Sequence, residues 1–159
     1  MAKKKAAKTA KKKAATEKAI TTMPMPREPW NIIPRRKVAP VTASLKIEVE
    51  TKAKALIENV LKPKHVKPPK KGKEFNYITD IEAKWFRNYF YFVSTYACPG
   101  PNAISPTFEA KFARMEHLGN GKFALYFMRY TGNEWVGVFD ALTVDESMKA
   151  LQDEEWFVP

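Results

Sequence analysis

The chain has 159 residues, enough for one domain and an extension, and its net charge of +11 is divided unevenly along that length. Residues 1–40 hold 12 Lys/Arg and 2 acids, residues 41–73 hold 9 and 3, and residues 74–159 hold 7 and 12, for nets of +10, +6 and −5. Cys98 is the single cysteine, which excludes an internal disulfide, and no apolar run approaches the roughly 20 residues of a membrane-spanning helix.

The first 40 residues combine two compositions that both oppose compact folding. Residues 1–19 are mostly lysine and alanine, and their closely spaced like charges oppose a helix that has no apolar face to bury. Residues 20–40 carry five prolines, which favour an extended, semi-rigid linker. We therefore predict a disordered basic arm over residues 1–40. Three apolar side chains in the linker are expected to dock either on the domain or on a partner: Trp30, Ile32 and Ile33.

Residues 41–73 are predicted to form an amphipathic helix followed by a basic, proline-rich connector. From Leu45 onward, apolar residues recur at helical spacing, with lysines and glutamates on the other side. Thr42 or Ser44 can cap the start of this helix, and Pro63 is expected to end it. The apolar stripe needs a partner surface, which is either the sheet predicted below or another protein.

Residues 74–159 contain nineteen of the twenty aromatic residues and are predicted to form an antiparallel sheet. In the first predicted strand the odd-numbered positions, including Phe75 and Tyr77, are expected to face the core. The second strand carries aromatic residues on both faces, so both faces are expected to be covered. The five predicted strands lie at about residues 75–85, 89–97, 107–117, 122–130 and 134–140.

Turn and capping signals join these strands into a meander. The turn signals are Arg87-Asn88, Asn120-Gly121 and residues 131–133. Thr143 and Glu146 have the spacing of a capping box, which opens a helix running to about Gln152. The sequence therefore predicts an α+β fold: an antiparallel meander of about five strands, flanked by an N-terminal and a C-terminal helix and preceded by the basic arm.

Several patterns of the second half occur together in one protein family. They are Ala110-Lys111 with Arg114, the strand at residues 122–129, the turn at 131–135, the helix at 142–151 and the acidic, aromatic close at 153–157. With them, residues 45–159 resemble a small family of uncharacterised bacterial α+β domains, and residues 64–67 resemble a His-containing basic turn of that family. The family's acidic and Arg-Pro signature is not evident around residues 98–105. The resemblance implies the fold and no established activity. The composition of the arm separately resembles the tails of bacterial histone-like proteins.

The charge of the arm is the strongest functional signal. Lysines on a flexible chain release counterions from a nucleic-acid backbone, which gives salt-sensitive affinity without sequence specificity. We therefore predict a non-catalytic nucleic-acid-associated protein of the cytoplasm, bound to the nucleoid or to a ribonucleoprotein, with DNA and RNA both left open. A solubilising or lipid-binding tail is the alternative. The residues predicted to neutralise phosphates are Lys3, Lys4, Lys5, Lys8, Lys11, Lys12, Lys13, Arg35, Arg36 and Lys37.

The other candidate sites are weaker. His65, Cys98 and His117 are too few and too far apart in sequence for a metal site or a nucleophile–base pair, so no catalytic residue, metal or cofactor is predicted. The aromatic sheet could stack single-stranded bases, but the net charge of −5 favours core packing. The acidic domain is instead expected to contact a protein partner or a second copy. The alternative function is a structural or adaptor subunit of a ribonucleoprotein or virion. The arginines available for a local basic patch are Arg87, Arg114 and Arg129.

Overall fold

The computed structural model describes residues 39–69 and 75–159. Their five strands form one antiparallel sheet in the order β1-β2-β3-β4-β5, which confirms the predicted α+β meander between two helices. The predicted arm lies outside the described residues, apart from Ala39 and Pro40. The elements are α1 (Ala43–Leu56), a π-helical turn (Ile57–Leu61), α2 (Lys62–His65), β1 (Tyr77–Phe86), β2 (Tyr89–Ala97), β3 (Thr107–Gly119), β4 (Lys122–Arg129), β5 (Glu134–Leu142), α3 (Val144–Asp153) and a 3₁₀ turn (Glu155–Phe157).

The N-terminal helix begins where its capping signal places it but runs past its predicted end. The Thr42 side chain accepts a hydrogen bond from the Leu45 backbone N–H at 3.4 Å, so Thr42 is the cap. Pro63 was predicted to end the helix, and that prediction is wrong, since α2 continues to His65. A proline ring in a regular α-helix clashes with the carbonyl four residues earlier. The wider π-helical turn directly before α2 avoids that geometry.

The predicted turns and the C-terminal cap are present. Arg87, Asn120, Gly121 and Asn133 all have positive φ, between 49° and 67°, as tight turns of this kind require. Thr143 caps α3 in a complete capping box with Glu146. These features depend on neighbours in sequence, which explains why the sequence predicts them well.

The start of β1 differs from its prediction. Phe75 lies before the strand and is 75% exposed instead of facing the core. A register shift between Ile78 and Asp80 changes which side chains point inward, so Ile78 packs against the core in place of Tyr77. After the shift, Ile81 and the next odd positions face inward as expected. A bulge of this kind inserts one residue into the ladder and leaves no periodic signal in the sequence.

One hydrophobic core lies between the sheet and the helices. On α1, Val49, Ala53 and Leu56 are buried, and they belong to the same cluster as Phe90 and Phe92 of β2. Each large side chain buried in this way stabilises the fold by about 1.5–3 kcal/mol. The stripe of the N-terminal helix therefore packs against the sheet, which decides between the two partners that the sequence left open. None of the helices formed by the described residues is long and apolar enough to cross a membrane.

Candidate functional site

The residues predicted to bind phosphate lie outside the described part of the chain. All ten, from Lys3 to Lys37, belong to residues 1–38, and their role stays a prediction. What the structure does describe is the point at which this segment joins the domain.

The junction is held by His117 of β3. The Ala39 backbone N–H donates to the His117 carbonyl oxygen at 3.1 Å, and His117 Nδ1 lies 3.1 Å from the Pro40 carbonyl oxygen. A carbonyl oxygen only accepts, so Nδ1 must carry the proton that it donates. The ring is 5% exposed and packs against Phe123 with ring centroids 5.2 Å apart. His117 therefore anchors the chain where the arm joins the domain, a role that no sequence signal indicates.

Cys98 and His117 are not brought together. The Cys98 N–H bonds to the Pro106 carbonyl oxygen, beside the first residue of β3, whereas His117 lies near the end of that strand. At about 3.3 Å per residue, the two ends of this stretch are roughly 33 Å apart. Among residues 39–69 and 75–159, no group of three His, Cys, Asp or Glu side chains could hold a metal ion.

Three lysines of the domain each lie between two carboxylates. Their nitrogen–oxygen distances are 2.8–3.0 Å, and the hydrogen bonds to these carboxylates raise the pKa of each lysine. Lysines paired in this way are partly neutralised already, so they attract phosphate less than a free ammonium group would. The triads are Lys52 with Glu48 and Asp145, Lys62 with Glu58 and Asp80, and Lys84 with Glu82 and Glu109.

The aromatic residues on the sheet face opposite Phe90 surround an arginine. The Arg114 guanidinium carbon lies 4.4 Å from the ring centre of Tyr126, 4.7 Å from that of Tyr89 and 4.9 Å from that of Trp135. Tyr126 is 8% exposed; burial and a hydrogen bond with Glu116 raise its pKa. The ring faces that could stack on bases are thus occupied by a cation from the protein itself. We call this group the arginine cluster.

Among the surface cavities of the described residues, two border β1. One, of about 320 Å³, lies between α1 and β1, with Ile57, Ile81 and Phe90 among the apolar residues that line it. The other, of about 410 Å³, lies at the far end of the sheet from His117, where α2 meets the start of β1. We call the second cavity the end pocket. Five of the residues that line it are basic or aromatic, and the others are prolines, Asn76 and Ile78: the five are His65, Lys67, Phe75, Tyr77 and Tyr96.

Comparison with known families identifies the domain. Residues 41–159 match the family described as a domain of unknown function, DUF3024. The chain belongs to this family. The DUF3024 domain includes both α1 and the complete sheet, while residues 1–40 precede it. Comparison with curated proteins and with solved structures gave no match. The resemblance to a family of uncharacterised domains is confirmed at this level, whereas bacterial origin and the likeness to histone-like tails stay predictions.

Proposed function

We propose that this protein is a non-catalytic nucleic-acid-associated protein whose basic arm, residues 1–40, binds the phosphate backbone without sequence specificity. The arm has a net charge of +10, and residues 39–69 and 75–159 hold 13 Lys/Arg against 14 Asp/Glu. A nearly neutral domain contributes little long-range attraction to a polyanion. The attraction therefore comes from the arm, with cytoplasmic nucleoid or ribonucleoprotein material as its target.

The ion pairs of the domain are the observation that supports assigning phosphate binding to the arm and not to the domain. The three lysine triads and the Arg129–Glu134 pair, at 3.1 Å, engage four of the domain's cations with its own carboxylates. A phosphate would have to displace those carboxylates before it could bind. In the arm, by contrast, only Glu17 and Glu28 oppose twelve basic residues.

The test compares two variants of the complete chain on duplex DNA and RNA. In one, the seven lysines from Lys3 to Lys13 become glutamine, and in the matched control the same seven become arginine. Arginine keeps the charge, so the control should keep the affinity and its salt dependence. Each phosphate contact contributes roughly 0.7–0.9 to the slope of log affinity against log salt, so the glutamine variant should lose several units of slope. Equal affinity and slope in the two variants would refute the proposal.

A second candidate function is a structural or adaptor subunit of a ribonucleoprotein or virion. Both outer strands, β1 and β5, have one edge that no other described strand pairs with. Such edges pair readily with another chain. The cavity of about 320 Å³ beside β1 offers apolar surface next to that edge. Light scattering over a concentration series of the complete chain separates the two functions, because an adaptor built on these edges self-associates or captures a protein partner without nucleic acid.

A further inference from the structure

The end pocket brings together basic and aromatic residues from segments that lie apart in the sequence. His65 is the last residue of α2 and Lys67 follows it, before the sheet begins, whereas Tyr77 and Tyr96 lie at neighbouring ends of the paired strands β1 and β2. The sheet residues alone are net acidic, but the fold brings a basic turn against their exposed end. The average charge of residues 74–159 therefore does not describe this site.

The basic side of the pocket is accessible. Lys67 lines the pocket and Lys64 lies next to His65; both are exposed, and no carboxylate of the described residues forms an ion pair with either. They differ in this from the lysines of the three triads. Burial, together with the charges of Lys64 and Lys67, lowers the pKa of His65, as expected for a ring inside a locally positive region.

The aromatic side of the pocket offers ring surface to solvent. Phe75 is 75% exposed beside the cavity. Tyr96, which also lines it, stacks on Phe108 with ring centroids 5.0 Å apart and an interplanar angle of 4°. Phe108 is itself 42% exposed. Unlike the rings of the arginine cluster, Phe75 has no cation of the described residues over its face.

We propose that the end pocket binds a nucleotide of a single-stranded nucleic acid. A base stacks on the ring of Phe75, and the adjoining phosphates are bound by Lys67, which lines the pocket, and by the nearby Lys64. Stacking tolerates every base and adds to backbone attraction, and a volume of about 410 Å³ is within the usual range for small-molecule sites. A base paired within a duplex cannot stack on a side chain, so the site selects single strands. The proposal rests on the proposed function, in that the arm supplies most of the attraction.

The test uses the complete chain and a ten-nucleotide thymidine strand with a central 2-aminopurine, whose fluorescence falls when it stacks. Phe75→Ala and Lys67→Gln are the test variants, and Phe86→Ala and Lys149→Gln are the matched controls, also at exposed positions but not lining the pocket. We expect Phe75→Ala to weaken single-strand binding about five-fold or more and to abolish the fluorescence change. Lys67→Gln should reduce the salt slope, and both controls should match the unmodified chain. Circular dichroism and thermal unfolding confirm that each variant is folded.

The outcomes separate this proposal from the function of the arm. The first comparison uses the chain with glutamine at the seven arm lysines, at low salt. If this chain shows the fluorescence change and the addition of Phe75→Ala removes it, the pocket is supported, even if duplex binding proves independent of the arm. An unchanged aminopurine signal in Phe75→Ala overturns the pocket, whatever the arm does. The pocket is also overturned if Phe75→Ala weakens duplex binding as much as single-strand binding. Displacement of the strand by free thymidine monophosphate at the same concentration would overturn it too. Displacement by an acidic, tyrosine-rich peptide at that concentration identifies a protein ligand and also overturns it.

Discussion

His117 Nδ1 lies 3.1 Å from the carbonyl oxygen of Pro40, although 77 positions separate the two residues in the chain. With the bond from the Ala39 N–H to the His117 carbonyl oxygen, this contact ties the first described residues to β3. The basic arm therefore joins the DUF3024 domain at a defined place, beside the turn between β3 and β4.

The junction should depend on the donor at position 117. His117→Phe keeps a ring against Phe123 but leaves the Pro40 carbonyl without its donor, and we expect a loss of about 1 kcal/mol in the free energy of unfolding, measured with urea. The amide exchange of Ala39 should become faster. His117→Asn is the matched variant, because its amide nitrogen can take the place of Nδ1, and it should keep the protection of Ala39. Unchanged protection in His117→Phe would show that the side chain does not anchor the arm.

The domain should fold without the arm. The buried core of the described residues begins at Val49, with Leu45 packed against it, and extends through Phe157. Deleting residues 1–38 should therefore leave one cooperative thermal transition, followed by circular dichroism. An aggregated or molten product would instead place Trp30, Ile32 and Ile33 in the core. The complete chain measured at the same concentration is the control.

Tyr126 should make the protein less stable at alkaline pH. Its pKa is raised above the ordinary value of 10.0, first by burial and then by its hydrogen bond with Glu116. The folded state thus keeps this proton where the unfolded state has lost it, so stability is complete below about pH 10 and falls as pH rises further, by up to about 1.4 kcal/mol per pH unit. Tyr126→Phe should be less stable at neutral pH but should show a shallower alkaline decline. Parallel pH profiles of the two proteins, from urea unfolding, would contradict this.

Aromatic residues that do not line the end pocket should not affect nucleic-acid binding. Tyr130 is 59% exposed, and its hydroxyl group donates to the Lys111 carbonyl oxygen at 3.2 Å. Tyr130→Ala should change single-strand and duplex affinity less than two-fold. Tyr89→Ala should also leave affinity unchanged while it lowers stability, because it removes one ring from Arg114. A loss of five-fold or more in either folded variant would make the open sheet face a base-stacking surface.

The sequence predicts most of this fold because the decisive signals are local. Asn120-Gly121 adopts the positive φ angles that its hairpin needs, and Thr143 with Glu146 forms the expected cap. The predictions that are wrong concern places where the backbone departs from regular helix or strand geometry. Pro63 lies within a helix because a π-helical turn precedes it, and Phe75 is exposed because β1 starts later and contains a bulge.

The candidate site was much less accessible to sequence analysis. The link between His117 and Pro40 joins residues far apart in sequence, and so does the cavity that the basic turn and Tyr96 both line. No spacing of residues in the sequence predicts either arrangement, because both arise only when the helices pack on the sheet. The three lysine triads likewise include partners from different elements, such as Lys52 of α1 with Asp145 of α3.

The continuous run of helix from Ala43 to His65 sets a distance between the two basic segments of the protein. At 1.5 Å per residue this run is about 34 Å long. The arm joins the domain near the beginning of the run, and the basic turn lies at its end. The helix therefore sets the spacing between these two places, and a nucleic acid contacted at both would have to span that length.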